Sequence, residues 1–348
     1  MSTLRPESPE RLAEALHSAA SAKQSILLGG NFSKDRLAGA PQHADVTIST
    51  SGLNRLIQYD PRDLTVSVEA GMRFAELERI LGEHRQMLPL DPGWREESTV
   101  GGVVAANLSG PRRRLHGTAR DMIIGMKFAT LEGKLISSGG MVVKNVAGLD
   151  MAKLMIGSFG TLAAIASVNF KVFPEPVESR SFEMKFATAA EAFAERDRIL
   201  KSVLQPAALD IVNWARQAAS PSKTGWRLLV GVGGNSQVLD RYARELPGAA
   251  VVDESVWDEV REFTPRFLAA HPQGFVLPIP LKFTEMAKKV DELKVPVIAR
   301  AGSGVIYAHL AQRPDKIEPP ADFAMMTKVK DMFDPERLLN RGRFYGWL

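Results

Sequence analysis

The residues with the clearest chemical meaning are glycines that follow a short apolar run. Ile26-Leu27-Leu28 leads straight into Gly29-Gly30-Asn31-Phe32-Ser33-Lys34. Successive small residues can turn their N–H groups inward and form a nest for phosphate oxygens, to which Ser33 adds a hydroxyl and Lys34 a positive charge. Alone, the string reads equally as a plain turn after a strand. It is neither a G-x-G-x-x-G dinucleotide fingerprint nor a Walker loop. A second small-residue string runs through Pro89-Leu90-Asp91-Pro92-Gly93, Ser98-Thr99-Val100-Gly101-Gly102, Ala105-Ala106-Asn107 and Ser109-Gly110. A third comprises Lys144-Asn145-Val146-Ala147-Gly148, Gly157-Ser158 and Gly160. Three such patches suit backbone lining of a long, flat ligand that carries a diphosphate; a set of tight hairpins is the alternative. Arg112-Arg113-Arg114 and Lys144 flank them. A solvated face, phosphate neutralisation and docking of an acidic partner are all open readings of that basic run.

Other chemistries are poorly supplied. The chain has no cysteine, which excludes disulfides, thiolate metal sites, a cysteine nucleophile and ordinary iron–sulfur ligation. Its six histidines are scattered, and no His, Asp or Glu cluster has metal-ligand spacing, so no metal is expected.

The elements that must position these patches are legible in outline. Ser8 caps a helix in which Pro9 fits the first turn and Leu12, Ala15, Leu16 and Ala19 share a face. Short apolar or alternating runs at 26–28, 46–48, 65–69, 123–130, 134–137 and 166–173 read as strands, and Phe74, Leu77, Ile80 and Leu81 as one side of a helix. Of the 28 glycines, 18 fall in residues 1–174, which marks a scaffold of short strands and tight connections. Pro174-Glu175-Pro176 reads as a boundary. Beyond it, strands and helices alternate as in an α+β domain with an antiparallel sheet, and a polar linker at 313–320 precedes a last helix over 322–333.

A chain of 348 residues with 45% hydrophobic and 24% charged residues is neither disordered nor fibrous, and it is long enough for two domains. A net charge of +4 is too small, and the aromatics too sparse, for a nucleic-acid groove. Nothing reads as a signal peptide or as the roughly 18 uninterrupted apolar residues of a membrane span. A cytoplasmic protein is expected, peripheral at the inner membrane only through a partner.

Further motifs join the patches: Tyr59-Asp60-Pro61, Gln86-Met87-Leu88-Pro89, Gly101-Gly102-Val103-Val104-Ala105, Leu108-Ser109-Gly110-Pro111-Arg112-Arg113, Arg120-Asp121, Lys144 to Asp150, Gly157-Ser158-Phe159-Gly160-Thr161-Leu162 and Phe333-Asp334-Pro335. With them, residues 26–39, 59–71, 87–125 and 139–175 closely resemble the PCMH-type flavin-binding domain of the family that includes vanillyl-alcohol oxidase and the FAD-linked 2-hydroxy-acid dehydrogenases. Within it the likeness is closer still to the E-type subunits of bacterial glycolate oxidases. The resemblance implies an α+β fold: an FAD-binding domain of two α+β subdomains (1–175), an antiparallel-sheet cap domain (176–312) and a C-terminal segment (313–348) that returns to the FAD domain. It implies that Leu28, Gly29, Gly30, Asn31, Phe32, Ser33 and Lys34 hold the FAD diphosphate. Leu90, Asp91, Ser98, Thr99, Gly101, Gly102, Ala105, Asn107, Ser109 and Gly110 would run beside the flavin and ribityl chain. Gly157, Ser158, Gly160 and Ile165 would meet the adenine and ribose end or the loops beside it. With no cysteine in the chain and no histidine in loop 28–34, the FAD is expected to be non-covalent.

The cap departs from the catalytic members, which carry His-x-Gly-Asp-Gly-Asn and a second histidine. The corresponding stretch here is Ala301-Gly302-Ser303-Gly304-Val305-Ile306-Tyr307-Ala308-His309. The glycines survive; the first histidine, the aspartate and the asparagine do not. Tyr307, His309 and Lys144 are the remaining catalytic candidates, with Arg300 a possible third member of an anion site beside Tyr307 and His309. The resemblance therefore implies an accessory or electron-relaying FAD subunit of a glycolate oxidase complex, with a catalytic D-type flavoprotein and an iron–sulfur F-type subunit as partners. A stand-alone FAD-linked dehydrogenase or oxidase of glycolate or D-lactate, and a non-catalytic assembly module, are the alternatives.

Overall fold

A computed structural model describes residues 3–141, 150–213 and 225–347. The first helix, Pro9–Ser21, starts where the Ser8 side chain accepts the Arg11 N–H, and it buries Leu12, Ala13, Leu16 and Ala19. Those residues pack on Ile26 and Ile48 from a parallel three-stranded sheet ordered Thr3–Leu4, Val46–Ser49, Ile26–Gly29. Ala164 and Ala166 complete this cluster from an antiparallel five-stranded sheet, ordered Leu56–Asp60, Thr65–Glu69, Ala164–Lys171, Ile123–Ala129, Leu135–Gly139. On that sheet, Val66, Val68, Phe128, Val168 and Phe170 form a second cluster with Phe74, Leu77 and Leu81 of the helix Phe74–Gly82.

Residues 178–310 form an antiparallel seven-stranded sheet, and both of its faces are covered. The strand Ala208–Asn213 shows why, since successive side chains point to opposite faces. Leu209 and Ile211 meet helices Ala189–Lys201, Ser236–Glu245 and Phe283–Leu293 through Phe193, Leu239, Tyr242, Met286 and Val290. Ala208 and Val212 meet the helix Val256–Ala270 through Val256, Trp257 and Val260. Gly231 lets that helix sit close: a Cβ there would stand 2.9 Å from the Trp257 ring.

The expected α+β architecture is the observed one, and most strands of the first half lie within a residue or two of their sequence signals. The helix Val100–Ala105 was not anticipated, because Gly101-Gly102 suppress the helical signal; Thr99 supplies it by accepting the Gly102 N–H as N-cap. The strands Leu56–Asp60 and Ala208–Asn213 were also missed.

The helix Val256–Ala270 lies between the seven-stranded sheet and the glycine-rich half. Arg261 sits 3.7 Å from buried Asp91, whose carboxylate also takes a multiple hydrogen bond from Arg112. At the other end of the helix, Arg36 donates to the carbonyls of Leu268, His271 (2.7 Å), Pro272 (3.0 Å) and Gly274 (2.9 Å). Two of them, Leu268 and the C-cap His271, are carbonyls that a helix end leaves without partners. The last helix, Phe323–Phe333, is fixed by fully buried Lys330, which pairs with Asp334 and donates to Thr161 O at 2.8 Å.

Candidate functional site

The strand Ile26–Gly29 and the helix Val100–Ala105 both contribute residues to a cleft of about 650 Å³. Leu28 to Asp35 form one wall, Thr99, Gly101, Gly102, Ala105 and Ala106 another. Phe159, Gly160 and residues 163–165 close a third side, with Thr50 and Arg343 between. The glycines are needed for close approach. A Cβ at Gly30 would fall 2.1 Å from Thr99 Oγ1, and one at Gly101 would fall 2.7 Å from Ala70 Cβ.

Loop 30–34 leaves its backbone largely uncommitted. Among the described residues, the amides of Asn31, Phe32, Ser33 and Lys34 find no acceptor, although Asp35 N–H bonds Phe32 O at 3.2 Å and Leu37 N–H bonds Lys34 O at 3.0 Å. Phe32 is held in the left-handed region at φ 56°. Four adjacent free donors beside a buried amine form a cradle for an anion. That amine is Lys34, 7% exposed, with Nζ bonded to Ser33 Oγ at 3.1 Å and to Ser98 Oγ. Burial pushes Lys34 down to about 7, against the pull of Glu97 and Glu262 in the other direction. A bound diphosphate would restore its charge, so the donor set fits the diphosphate of FAD.

The cleft brings together Leu28, Gly29, Gly30, Asn31, Phe32, Ser33, Lys34, Thr99, Gly101, Gly102, Ala105, Gly160 and Ile165 from the sequence expectation. Ser98 stands behind Lys34. The remaining expected residues do not line the cleft. Asp91 is consumed by Arg112 and Arg261; together they hold its carboxyl below the usual range despite burial. Gly110 packs on it, its N–H bonding Leu90 O at 2.6 Å, and a Cβ there would meet Asp91 O at 2.2 Å. The Ser109 hydroxyl is buried without an acceptor among the described residues. Asn107 takes the left-handed turn after the helix at φ 47°; Gly157 N–H bonds Val104 O at 3.1 Å, and Ser158 Oγ donates to Met155 O at 2.9 Å. These residues build the turns behind the cleft. Asp35, Thr50, Ala106, Phe159, Ala163, Ala164 and Arg343 were missed. For Arg343 the only local hint was the terminal string Asn340-Arg341-Gly342-Arg343.

The Arg112–Arg114 run is not a solvated face. Arg112 is committed to Asp91, while Arg114 donates to Gln205 at 3.0 Å and lies against Gly302, where a Cβ would stand 2.4 Å from its Cδ. The run joins the glycine-rich half to the seven-stranded sheet.

The three-residue anion site expected on the cap is also not formed. Arg300 is buried against Asp210, which neutralises it; burial pushes the Asp210 carboxyl up. Tyr307 lies under the Arg300 guanidinium at 5.8 Å. His309, 1% exposed, is packed edge-on against Phe263 and Phe267, with Nε2 2.8 Å from Thr264 Oγ1. Burial pushes it down to about 4, so it is neutral. All three lie on the face covered by the helix Val256–Ala270, and none lines the cleft. Lys144 lies outside the described residues. Among the described residues no group of His, Asp or Glu converges as a metal site.

A second cavity, of about 1510 Å³, opens between the two halves and includes Met87, Arg112, His116, Trp257, Asp258 and Arg261 in its lining. His116 packs edge-on against Phe173, and burial together with Arg112 pushes its imidazole below its usual range.

The α+β sheets and a glycine-lined cleft with free backbone donors are compatible with an FAD-binding fold, and comparison with known proteins gives the class. Residues 2–139 match the family described as FAD binding domain. The chain is 34% identical over 254 residues to glycolate oxidase subunit GlcE of Escherichia coli (strain K12), covering 73% of this chain and 68% of that protein. It is 27% identical over 173 residues to glycolate oxidase subunit GlcD of Bacillus subtilis (strain 168), covering 50% of this chain but 37% of that protein. Alkyldihydroxyacetonephosphate synthase superposes with a TM-score of 0.74 over 97% of this chain and 75% of that chain; at 19% identity this speaks for the fold alone. The chain belongs to the PCMH-type family of FAD-binding oxidoreductases related to the 2-hydroxy-acid dehydrogenases and oxidases.

Proposed function

We propose that the chain is the E-type FAD-binding subunit of a glycolate oxidase complex that converts glycolate to glyoxylate, and that its own part is accessory or electron-relaying. In this reading residues 1–175 form the FAD-binding unit, 176–312 the cap, and 313–348 a segment that packs back on the FAD unit. The main chain of 29–34 and Lys34 would hold the non-covalent FAD diphosphate, with Thr99, Gly101, Gly102, Ala105, Gly160 and Ile165 along the rest of the cofactor. Bound FAD would supply two-electron acceptance. Oxidation of a 2-hydroxy acid also needs a base for the hydroxyl proton and a cation for the carboxylate.

The observation that carries the accessory role is the covered cap face. Arg300 is spent on Asp210, and His309 is enclosed by Phe263, Phe267 and Thr264. A cation and a base buried beneath a helix do not reach a substrate. The partners in this proposal are a D-type flavoprotein that oxidises the substrate and an F-type iron–sulfur subunit, whose clusters this cysteine-free chain cannot ligate. Electrons would leave through the complex to a membrane quinone or another acceptor. Among the described residues no helix is long and apolar enough to cross a membrane.

The comparisons support the general class, FAD-linked oxidoreductases related to the 2-hydroxy-acid enzymes, more directly than they support membership of a complex. A self-sufficient glycolate or D-lactate dehydrogenase is therefore the second reading. Co-expression with D- and F-type subunits separates the two. The proposal expects one three-subunit species on size exclusion and glycolate-dependent dye reduction that is lost when this chain is omitted. Full turnover by the D- and F-type subunits without it would overturn the proposal.

A further inference from the structure

The C-terminal residues 340–346 are wound in an unusual way. Asn340, Phe344 and Tyr345 adopt positive φ of 44°, 51° and 63°, as do Gly342 and Gly346. A residue with a Cβ, and a bulky aromatic most of all, stays in that region only when its surroundings over-determine it. The surroundings are specific. Asn340 Oδ1 accepts Leu28 N–H at 2.7 Å, and its amide nitrogen donates to Leu28 O at 2.9 Å and Phe159 O at 2.7 Å, which ties two walls of the cleft together. Phe344 packs edge-on against Phe159, and Tyr345 N–H bonds Ala38 O at 2.9 Å. Gly39 allows backbone to meet backbone: a Cβ there would stand 2.9 Å from both Gly342 O and Tyr345 N.

This winding brings Arg343, 5% exposed, beneath the phosphate loop. Its Nη1 reaches the carbonyls of Lys34 (3.4 Å), Asp35 (2.9 Å), Leu37 (3.0 Å) and Gly39 (3.1 Å), and Nη2 reaches the Asp35 carboxylate at 3.1 Å. One guanidinium thus gathers the carbonyls of the loop's second half on the side of the tail. The unpartnered amides of the first half, Asn31 to Lys34, are on the stretch that lines the cleft. Arg343 itself lines the cleft, and its Nε–H is buried with no acceptor among the described residues, as suits a donor next to an anion.

We propose that Arg343 is the positioning residue of the diphosphate cradle, fixing loop 34–39 from below so that the amides of 31–34 and the Lys34 ammonium stay turned to the ligand. The inference rests on the reading of the cleft as the FAD diphosphate site. A lysine at this position keeps the charge but lacks the second nitrogen that pairs with Asp35 beside the carbonyls, so it replaces the function only in part.

The test is titration of the apoprotein with FAD, ADP and riboflavin, followed by fluorescence or calorimetry, for the wild type, Arg343→Met, Arg343→Lys, Asp35→Asn and Lys34→Gln. The Arg343→Met variant should weaken FAD and ADP by about tenfold or more, the scale of one charge-assisted hydrogen bond lost between the displaced loop and the ligand. Riboflavin, which carries no diphosphate, should bind as before. Arg343→Lys should recover part of the loss, and Asp35→Asn should show a smaller loss of the same pattern. Equal weakening of riboflavin and FAD would assign Arg343 a merely structural role and overturn the proposal. Unchanged FAD affinity in Arg343→Met beside a clear loss in Lys34→Gln would overturn it as well, leaving the cleft reading intact. Unchanged affinity in both would sink the cleft reading itself. If Arg343→Met does not fold, Arg343→Lys and Asp35→Asn decide by the same FAD-to-riboflavin comparison.

Discussion

Lys34 ties the chemistry of the cleft to pH. Burial brings its ammonium down to about 7, and a neighbouring diphosphate must raise it again. The complex therefore holds a proton that the free protein has lost above pH 7. FAD affinity should be flat below about pH 7 and fall by up to about tenfold per pH unit above it, until the pKa of the complex is reached. Flavin fluorescence quenching between pH 6 and 9.5 reads this directly, and Lys34→Gln should weaken binding and flatten the profile. Arg112 makes a different prediction. Asp91 is 3% exposed and relies on Arg112, with Arg261 farther off at 3.7 Å. Arg112→Met should leave a buried carboxylate short of its main partner and cost about 3–5 kcal/mol in chemical denaturation. Removal at no cost would mean that Arg261 takes over the pair.

At the scale of elements, the short helix Val100–Ala105 is the part that sequence reasoning missed and the cleft most depends on. Its glycines were legible as close-approach residues, but their target was not: Gly101 faces Ala70 and Gly30 faces the N-cap Thr99. Gly101→Ala should push the helix off the strand Thr65–Glu69, lowering stability by about 1–3 kcal/mol through overpacking and weakening FAD alongside. Thermal unfolding of apo and loaded protein checks both. The helix Val256–Ala270 falls in the half where strands and helices were expected to alternate, yet nothing local said which sheet face it would cover. That placement encloses His309 against Phe263, Phe267 and Thr264. His309→Phe should leave glycolate turnover of the assembled complex within about twofold of wild type, at a stability cost of roughly 1 kcal/mol for the Thr264 hydroxyl left without its partner. A collapse of turnover with the fold intact would return His309 to the list of catalytic groups.

At the scale of the whole molecule, the first half was readable because its function is written in local strings: the turn at 29–34, the small residues at 98–105 and the strands between them. The contacts that complete the cleft come from the far end of the chain. Asn340 is 312 positions from Leu28, and Arg343 is 309 from Lys34, so neither pairing leaves a periodic or motif signal. The basic run at 112–114 was ambiguous for the same reason, since its partners Gln205 and Gly302 belong to the other half. What these long-range contacts assemble is the candidate flavin cleft, beside a seven-stranded sheet whose face is already covered by a helix. The most direct test of that account is an anaerobic absorbance titration of the isolated, FAD-loaded chain with glycolate and D-lactate, followed in the flavin band and then with dithionite. The account predicts a flavin that dithionite bleaches and neither acid does. Prompt bleaching by either acid would show a working substrate site in this chain and contradict it.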